Sequence, residues 1–229
     1  MKCKYLSVKI TGTVGFTFDF LRPSHRIAHQ VAALVAKSNF PVYDRRECGR
    51  SGVWRTVLAR CNPAGDMLVM VQTTTLSEES QKRFVEALLP ELEGVGVTSL
   101  FLLFNDEVTD APRPNAVVTH VHGKPRLEMP MLGLKLEVGP LSFFNPNTTT
   151  CRFLMETAIA FLNLKKNEIL LDIFCGIGTI GLCAAHCCDK ALEATKSWVM
   201  ARTRESQWRS NEILILYIFR SSTVGMENC

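Results

Sequence analysis

Apolar positions along the chain change register from segment to segment, and each register predicts an element. Between Ser24 and Lys37, Ile27, Val31, Leu34 and Val35 recur at helical spacing behind a Pro23-Ser24 start, which predicts a helix. Gly52 to Cys61 and Asp66 to Gln72 are β-rich runs separated by Asn62-Pro63-Ala64-Gly65, a turn with hairpin chemistry. Ser77, with Glu79 and Ser80 behind it, begins a predicted helix to Glu93 that carries Phe84, Leu88 and Leu89 on one face. Val97 to Phe104 then reads as a buried strand, so this part of the chain predicts a β-β-α-β layer. From Asn105 to Arg126, Pro112, Pro114, Gly123 and Pro125 around a short Val117-Val118 strand predict connecting loop and edge structure. Beyond it the pattern predicts a strand at Leu132 to Val138, a helix capped by Asn147 and running to Leu164, a strand at Glu168 to Phe174 and a helix at Thr179 to Cys188. That is the opening of an open α/β fold. Ala191 to Arg209 reads as a helix rich in Arg and Trp, and Glu212 to Phe219 as one apolar strand. There are no internal repeats.

Composition removes several classes. With 47% hydrophobic and 21% charged residues, the chain has the apolar surface to offset its backbone entropy, so disorder is excluded as its main state. The net charge of +4 hides an asymmetry. Residues 1–60 hold 11 Lys/Arg against 3 Asp/Glu, residues 61–150 hold 6 against 11, and residues 151–229 hold 9 against 8. The basic part is therefore the amino-terminal quarter. The 9 cysteines are odd in number and lack the paired spacing of a stapled secreted module, and Met1 to Lys9 alternates lysines with short apolar pieces instead of spelling a secretory signal. A reducing compartment is expected: cytoplasm or nucleus, with the mitochondrion as a further option. Ile169 to Cys188 has the length of a membrane span, but Asp172, His186 and three glycines argue for a folded segment and against a membrane partner.

The segment from Ile169 through Asp172-Ile173-Phe174-Cys175-Gly176-Ile177-Gly178-Thr179-Ile180-Gly181 carries the most chemistry. An apolar strand ends in an acid, a tight glycine turn follows, and a helix begins. A parallel strand covered on both faces is apolar throughout; glycines permit unusual backbone angles and let a ligand lie against bare main chain; a helix start offers unpaired N–H groups. Gly176, Gly178 and Gly181 spell the dinucleotide fingerprint, which also needs an acid about 20 residues on at the end of a second strand. Glu193 is the nearby acid, and its surroundings read as helical. Asp172 four residues before the first glycine, with Cys175 ahead of the turn, instead resembles the first motif of S-adenosylmethionine-dependent methyltransferases. The bland reading is a strand-to-helix turn without a ligand.

Upstream strings sharpen the resemblance. Leu132-Gly133-Leu134-Lys135-Leu136, then Phe143-Phe144-Asn145-Pro146-Asn147-Thr148, then the strand and glycine turn, is similar to the tRNA uracil-5-methyltransferase family in its animal branch. Val53-Trp54-Arg55-Thr56-Val57, Val97-Thr98-Ser99-Leu100 and His122-Gly123 are collinear with weaker strings of that family, so the resemblance covers residues 10–190. It implies an α/β protein in three parts: an RNA-facing ββαβ-type domain over residues 1–125, the amino-terminal part of a Rossmann-like methyltransferase domain over 126–190, and a divergent tail over 191–229. It also implies S-adenosyl-L-methionine as methyl donor, tRNA as partner and 5-methyluridine as product. By position, Phe174, Gly176, Gly178 and Thr179 would line the donor site. Asn145 would stand where the family places a donor-binding glutamine, an amide with a longer reach.

The family chemistry uses a cysteine thiolate to attack C6 of a flipped-out uracil and a general base to remove the C5 proton. Both residues lie in later motifs of the family that have no counterpart here, so no catalytic residue is assigned. A doubly wound sheet needs on the order of 100 residues after its first glycine turn, and residues 191–229 are fewer than 40. A truncated or alternatively spliced product with feeble or absent catalysis is expected. Cys61-Asn62-Pro63 spells the family's nucleophile tripeptide, but it precedes the glycine turn and reads as an Asn-Pro turn. Cys183, His186, Cys187 and Cys188 read as buried thiols and not as a metal site, because residues 183 and 187 share an apolar helix face and no second ligand pair is present. Arg45, Arg46, Arg50, Arg55 and Arg60, with Trp54 and Tyr43 interleaved, could track phosphates and stack a base; charge alone equally allows a solvated basic surface with Trp54 in the core, and the resemblance favours RNA. The alternative functions are a non-catalytic RNA-binding protein and a methyltransferase or dehydrogenase of small molecules.

Overall fold

The computed structural model describes residues 4–9, 22–44, 51–111, 116–195 and 198–203. The chain divides into two compact units, Met1–Pro130 with Glu137–Thr149, and Met131–Leu136 with Thr150–Cys229. The first unit thus keeps a stretch beyond residue 125 that the sequence assigns to the next domain.

The first unit is built on a five-stranded sheet in the order β1 (Lys4–Lys9), β2 (Trp54–Cys61), β3 (Met67–Thr73), β4 (Ser99–Phe104) and β5 (Val118–Gly123). Neighbours are antiparallel except β3 and β4, which run parallel because α2 (Glu78–Glu93) returns the chain between them. The helix starts where the sequence predicts, with Ser77 Oγ accepting from the Ser80 N–H. Together with α1 (Arg22–Lys37), α2 covers one face of the sheet. Val31, Phe84, Leu88 and Leu92 pack there on Val57, Ala59, Val69, Val71, Leu100 and Leu102. All seven residues of β3 are buried, as in a central strand covered on both sides. The β2–β3 hairpin closes through Asn62, whose Oδ1 accepts from the Asp66 N–H at 2.8 Å.

The sheet is larger than the predicted β-β-α-β layer. Strand β1 falls where the pattern shows only short apolar pieces, and β5 extends the short Val117-Val118 strand to Gly123. β5 is half-buried at most and joins the sheet through its ladder with β4, a non-local partner that a local pattern does not reveal. After it, β6 (Leu127–Met131) and β7 (Leu134–Val138) form a separate hairpin. Its two-residue turn places both Leu132 (φ 46°) and Gly133 (φ 81°) in the left-handed region that tight hairpins demand, so the strand begins later than Leu132.

The second unit holds most of α3 (Thr148–Leu162), then β8 (Ile169–Ile173), α4 (Thr179–Ala184), β9 (Lys190–Thr195) and β10 (Trp198–Thr203). Its sheet order is β10-β9-β8, with β8 and β9 parallel and β10 antiparallel. The helix predicted over Ala191 to Arg209 is therefore corrected over residues 191–195 and 198–203: these are strands, so the sheet extends into the region assigned to a divergent tail. Pairing with β8 decides it, since Ala191 joins Leu170, Ala184 and Cys188 in the core of this unit. The predicted helix to Cys188 also ends early, at Ala184. The Cys187 N–H turns back to the Ala184 carbonyl at 2.8 Å, and Lys166 Nζ donates to the His186 carbonyl at 2.6 Å, which takes up main-chain groups a longer helix would have paired. Among the described residues no helix is long and apolar enough to cross a membrane.

Candidate functional site

Strand β8 ends at Ile173, and the next five residues alternate hand. Phe174 (φ 61°), Gly176 (φ 61°) and Gly178 (φ 76°) are all left-handed. For Phe174 that backbone is rare and costs energy, of the kind found where surrounding structure holds a functional turn. The turn is closed by the Gly178 N–H to the Cys175 carbonyl at 2.9 Å, and Gly178 then serves as N-cap of α4. A Cβ built on Gly176 would meet nothing within 4 Å. The glycine is thus needed for its backbone angle, and bare main chain faces open space. Thr179 opens α4 half-buried, whereas the Phe174 side chain is 83% exposed.

Asp172 ties the two ends of the turn together. Its Oδ2 accepts from the Gly181 N–H at 2.9 Å, linking the last turn of the strand to the helix. Burial pushes its carboxyl above the usual value, and that hydrogen bond only partly opposes the shift. Beside it, in the parallel ladder, Asp172 is in register with Glu193 of β9. An acid on the second strand of a β-α-β unit, about 20 residues past the first glycine, is where a ribose-binding carboxylate belongs. The helical reading of its surroundings hid Glu193 as a candidate. The spacing was the available signal, and only the strand assignment gives it meaning.

Asn145 lies in the first unit, half-buried, with Oδ1 accepting from the Asn147 N–H at 3.0 Å just before α3. In the same string Phe144 is buried and Phe143 is 84% exposed. The turn residues Phe174, Gly176, Gly178 and Thr179 belong to the second unit.

Three of the residues expected to track phosphates or stack a base are corrected, because Trp54, Arg55 and Arg60 are all buried. Trp54 is 2% exposed, its ring 4.6 Å from that of Phe84 and its Nε1–H donating to Ser38 Oγ at 2.9 Å, so it has no face free for a base. Arg55 is 1% exposed. Its guanidinium lies 4.2 Å over the Tyr43 ring and donates to the carbonyls of Asn105, Glu107 and Thr109 and to Asp110 Oδ1, holding the loop after β4. The cause is a β-bulge: register shifts between Trp54 and Thr56, so that Trp54 joins Val57 in the helix-side core and Arg55 is consumed inside the fold. Arg45, Arg46 and Arg50 lie outside the described residues.

Cys61 packs in the core while Asn62 forms the hairpin turn, donating from Nδ2 to the Glu128 carbonyl at 3.0 Å. Cys183 and Cys188 are buried, and Cys187 Sγ stands 3.2 Å from His186 Nε2. Among the described residues no group of three or more His, Cys, Asp or Glu is arranged to hold a metal ion.

No family model matches the chain. An uncharacterized RNA methyltransferase of Streptococcus pyogenes is 30% identical over 158 residues, 69% of this chain and 33% of that protein. One from Caldanaerobacter subterraneus is 28% identical over 188 residues, 77% of this chain and 40% of its own length. Among solved structures, the tRNA (uracil-54, C5)-methyltransferase of Pyrococcus abyssi, in complex with S-adenosyl-L-homocysteine, matches with a TM-score of 0.61 at 15% identity, over 80% of this chain and 46% of that one. The chain therefore spans between about a third and a half of the length of these three proteins. The chain is thus similar in sequence to RNA methyltransferases through more than two thirds of its own length, and it shares the α/β fold of the Pyrococcus abyssi enzyme.

Proposed function

We propose that the protein is of the tRNA uracil-5-methyltransferase type and takes S-adenosylmethionine at the turn from Phe174 to Thr179. The observation that carries this reading is the bare backbone at Gly176, left-handed and open, at the end of a parallel strand whose neighbour brings Glu193 level with Asp172. These features suit a nucleoside: main chain without side chains for close approach, and an acid on the adjoining strand for ribose hydroxyls. When bound, the donor supplies an electrophilic methyl group. Asn145 is assigned to the same donor by resemblance. Transfer to uridine C5 also needs a thiolate to attack C6 and a base to remove the C5 proton. Mass spectrometry of tRNA methylated by the purified protein tests the uridine reading: 5-methyluridine supports it, and a methyl group found only on another base would overturn it.

Calorimetry with S-adenosylhomocysteine tests the donor reading. Gly176→Ala introduces a left-handed alanine, at a cost of about 1–2 kcal/mol, without a steric clash, so the protein should remain folded. Its donor affinity should fall by about tenfold or more, because a methyl group then occupies the space over the backbone. Equal affinity in the two proteins would refute the site.

A second reading, RNA binding without catalysis, is favoured by the basic balance of residues 1–60, 11 Lys/Arg against 3 Asp/Glu. It predicts tight, salt-sensitive tRNA binding with no uptake of donor, measured by filter binding over a salt series.

A further inference from the structure

Arg60 is a buried arginine that neither the donor turn nor the hydrophobic core explains. It lies on β2, 6% exposed, on the sheet face opposite Val57, Ala59 and Cys61, which pack against the helices. A guanidinium in such a place is costly to desolvate and persists where its donors are used. Both Nη nitrogens reach one short stretch. Nη1 donates to the Gly139 carbonyl at 3.4 Å, and Nη2 donates to the Ser142 carbonyl. The two carbonyls bracket a turn that is also closed from within: the Ser142 N–H reaches the Gly139 carbonyl at 3.3 Å, and the Gly139 N–H reaches Ser142 Oγ at 3.1 Å.

The residues immediately after this turn are Phe143, Phe144 and Asn145. Phe144 is 7% exposed and serves as an anchor. The Asn145 side chain is held on its far side by the Asn147 N–H. The string is therefore gripped at both ends, by Arg60 before it and by an Asx turn after it. We infer that Arg60 is a positioning residue: its forked guanidinium fixes the Gly139–Ser142 turn and thereby the register in which Asn145 is presented. The consequence for donor binding rests on the assignment of Asn145 proposed above. A lysine cannot replace it, because a single ammonium on a flexible stem does not span two carbonyls three residues apart.

The test compares wild type, Arg60→Lys and Arg60→Met by amide hydrogen exchange and by calorimetry with S-adenosylhomocysteine, at a temperature where thermal melts show each variant folded. In Arg60→Met, exchange over residues 140–147 should accelerate by about tenfold or more, as expected for main chain that loses its hydrogen-bonded clamp, while β3 stays protected. Arg60→Lys should share the defect, which separates fork geometry from mere charge. Donor affinity should fall in both variants. Unchanged exchange at 140–147, or acceleration spread evenly over the unit, would overturn the inference, as would loosened exchange with undiminished donor affinity. If wild type itself takes up no donor, the donor reading fails, and exchange alone decides whether Arg60 orders the string.

Discussion

Asp172 shows how a single side chain serves a turn at some expense to the fold. Its carboxylate is half-buried, burial raises its affinity for a proton, and the Gly181 N–H compensates only in part. A carboxyl whose folded value lies above its unfolded one favours the folded state at low pH and weakens it once the group ionises. Asp172→Asn keeps an oxygen for Gly181 and removes the charge. We expect the variant to melt at a higher temperature than wild type near pH 7, and the two melting curves to converge as pH falls below about 4. A lower melting temperature at pH 7 would mean that the charged hydrogen bond outweighs desolvation. Arg55 makes the complementary point: a cation that sequence places in a basic run is spent on three carbonyls of one loop.

At the level of elements, glycines separate those that close packing requires from those that backbone angle alone requires. Gly123 ends β5 opposite Ser99, with φ 78°, and a Cβ there would lie 1.9 Å from the Thr98 carbonyl oxygen. Gly123→Ala combines left-handed strain with a backbone clash and should destabilise the first unit by about 2–4 kcal/mol in denaturant titration. Gly176, with open space around it, should cost only its backbone term. A Gly123→Ala protein as stable as Gly176→Ala would contradict the close approach of β5 to the segment before β4. Much at this scale was legible. Ser77 as a cap, Asn62-Pro63-Ala64-Gly65 as a hairpin turn and the helix-period apolar positions of α2 are local signals, and local signals suffice where a few neighbouring residues settle the hydrogen bonds.

Across the whole molecule, the second unit leaves apolar surface in contact with solvent. On α3, Phe153 is 70% exposed, Leu154 52% and Phe161 85%, and on β8, at the edge of its sheet among the described residues, Ile169 is 52% exposed. Apolar groups beside an edge strand favour association. Light scattering at rising concentration should show wild type self-associating, and Phe153→Glu combined with Phe161→Glu should reduce that association while preserving helicity. Identical scattering by both would place the sticky surface elsewhere.

What the sequence determined by itself was the α/β class, the positions of α1, α2 and α3, and the strand, glycine turn and helix around Gly176, because apolar period, caps and glycines act within a few residues. Tertiary structure decided the rest. The bulge at Trp54 and Thr56 turned an RNA-facing pair into core, and parallel pairing with β8 made strands of 190–195 and, through β9, of 198–203. The same pairing set Glu193 beside Asp172. Each of these rests on hydrogen bonds between segments far apart in the chain, whose partners no local window contains.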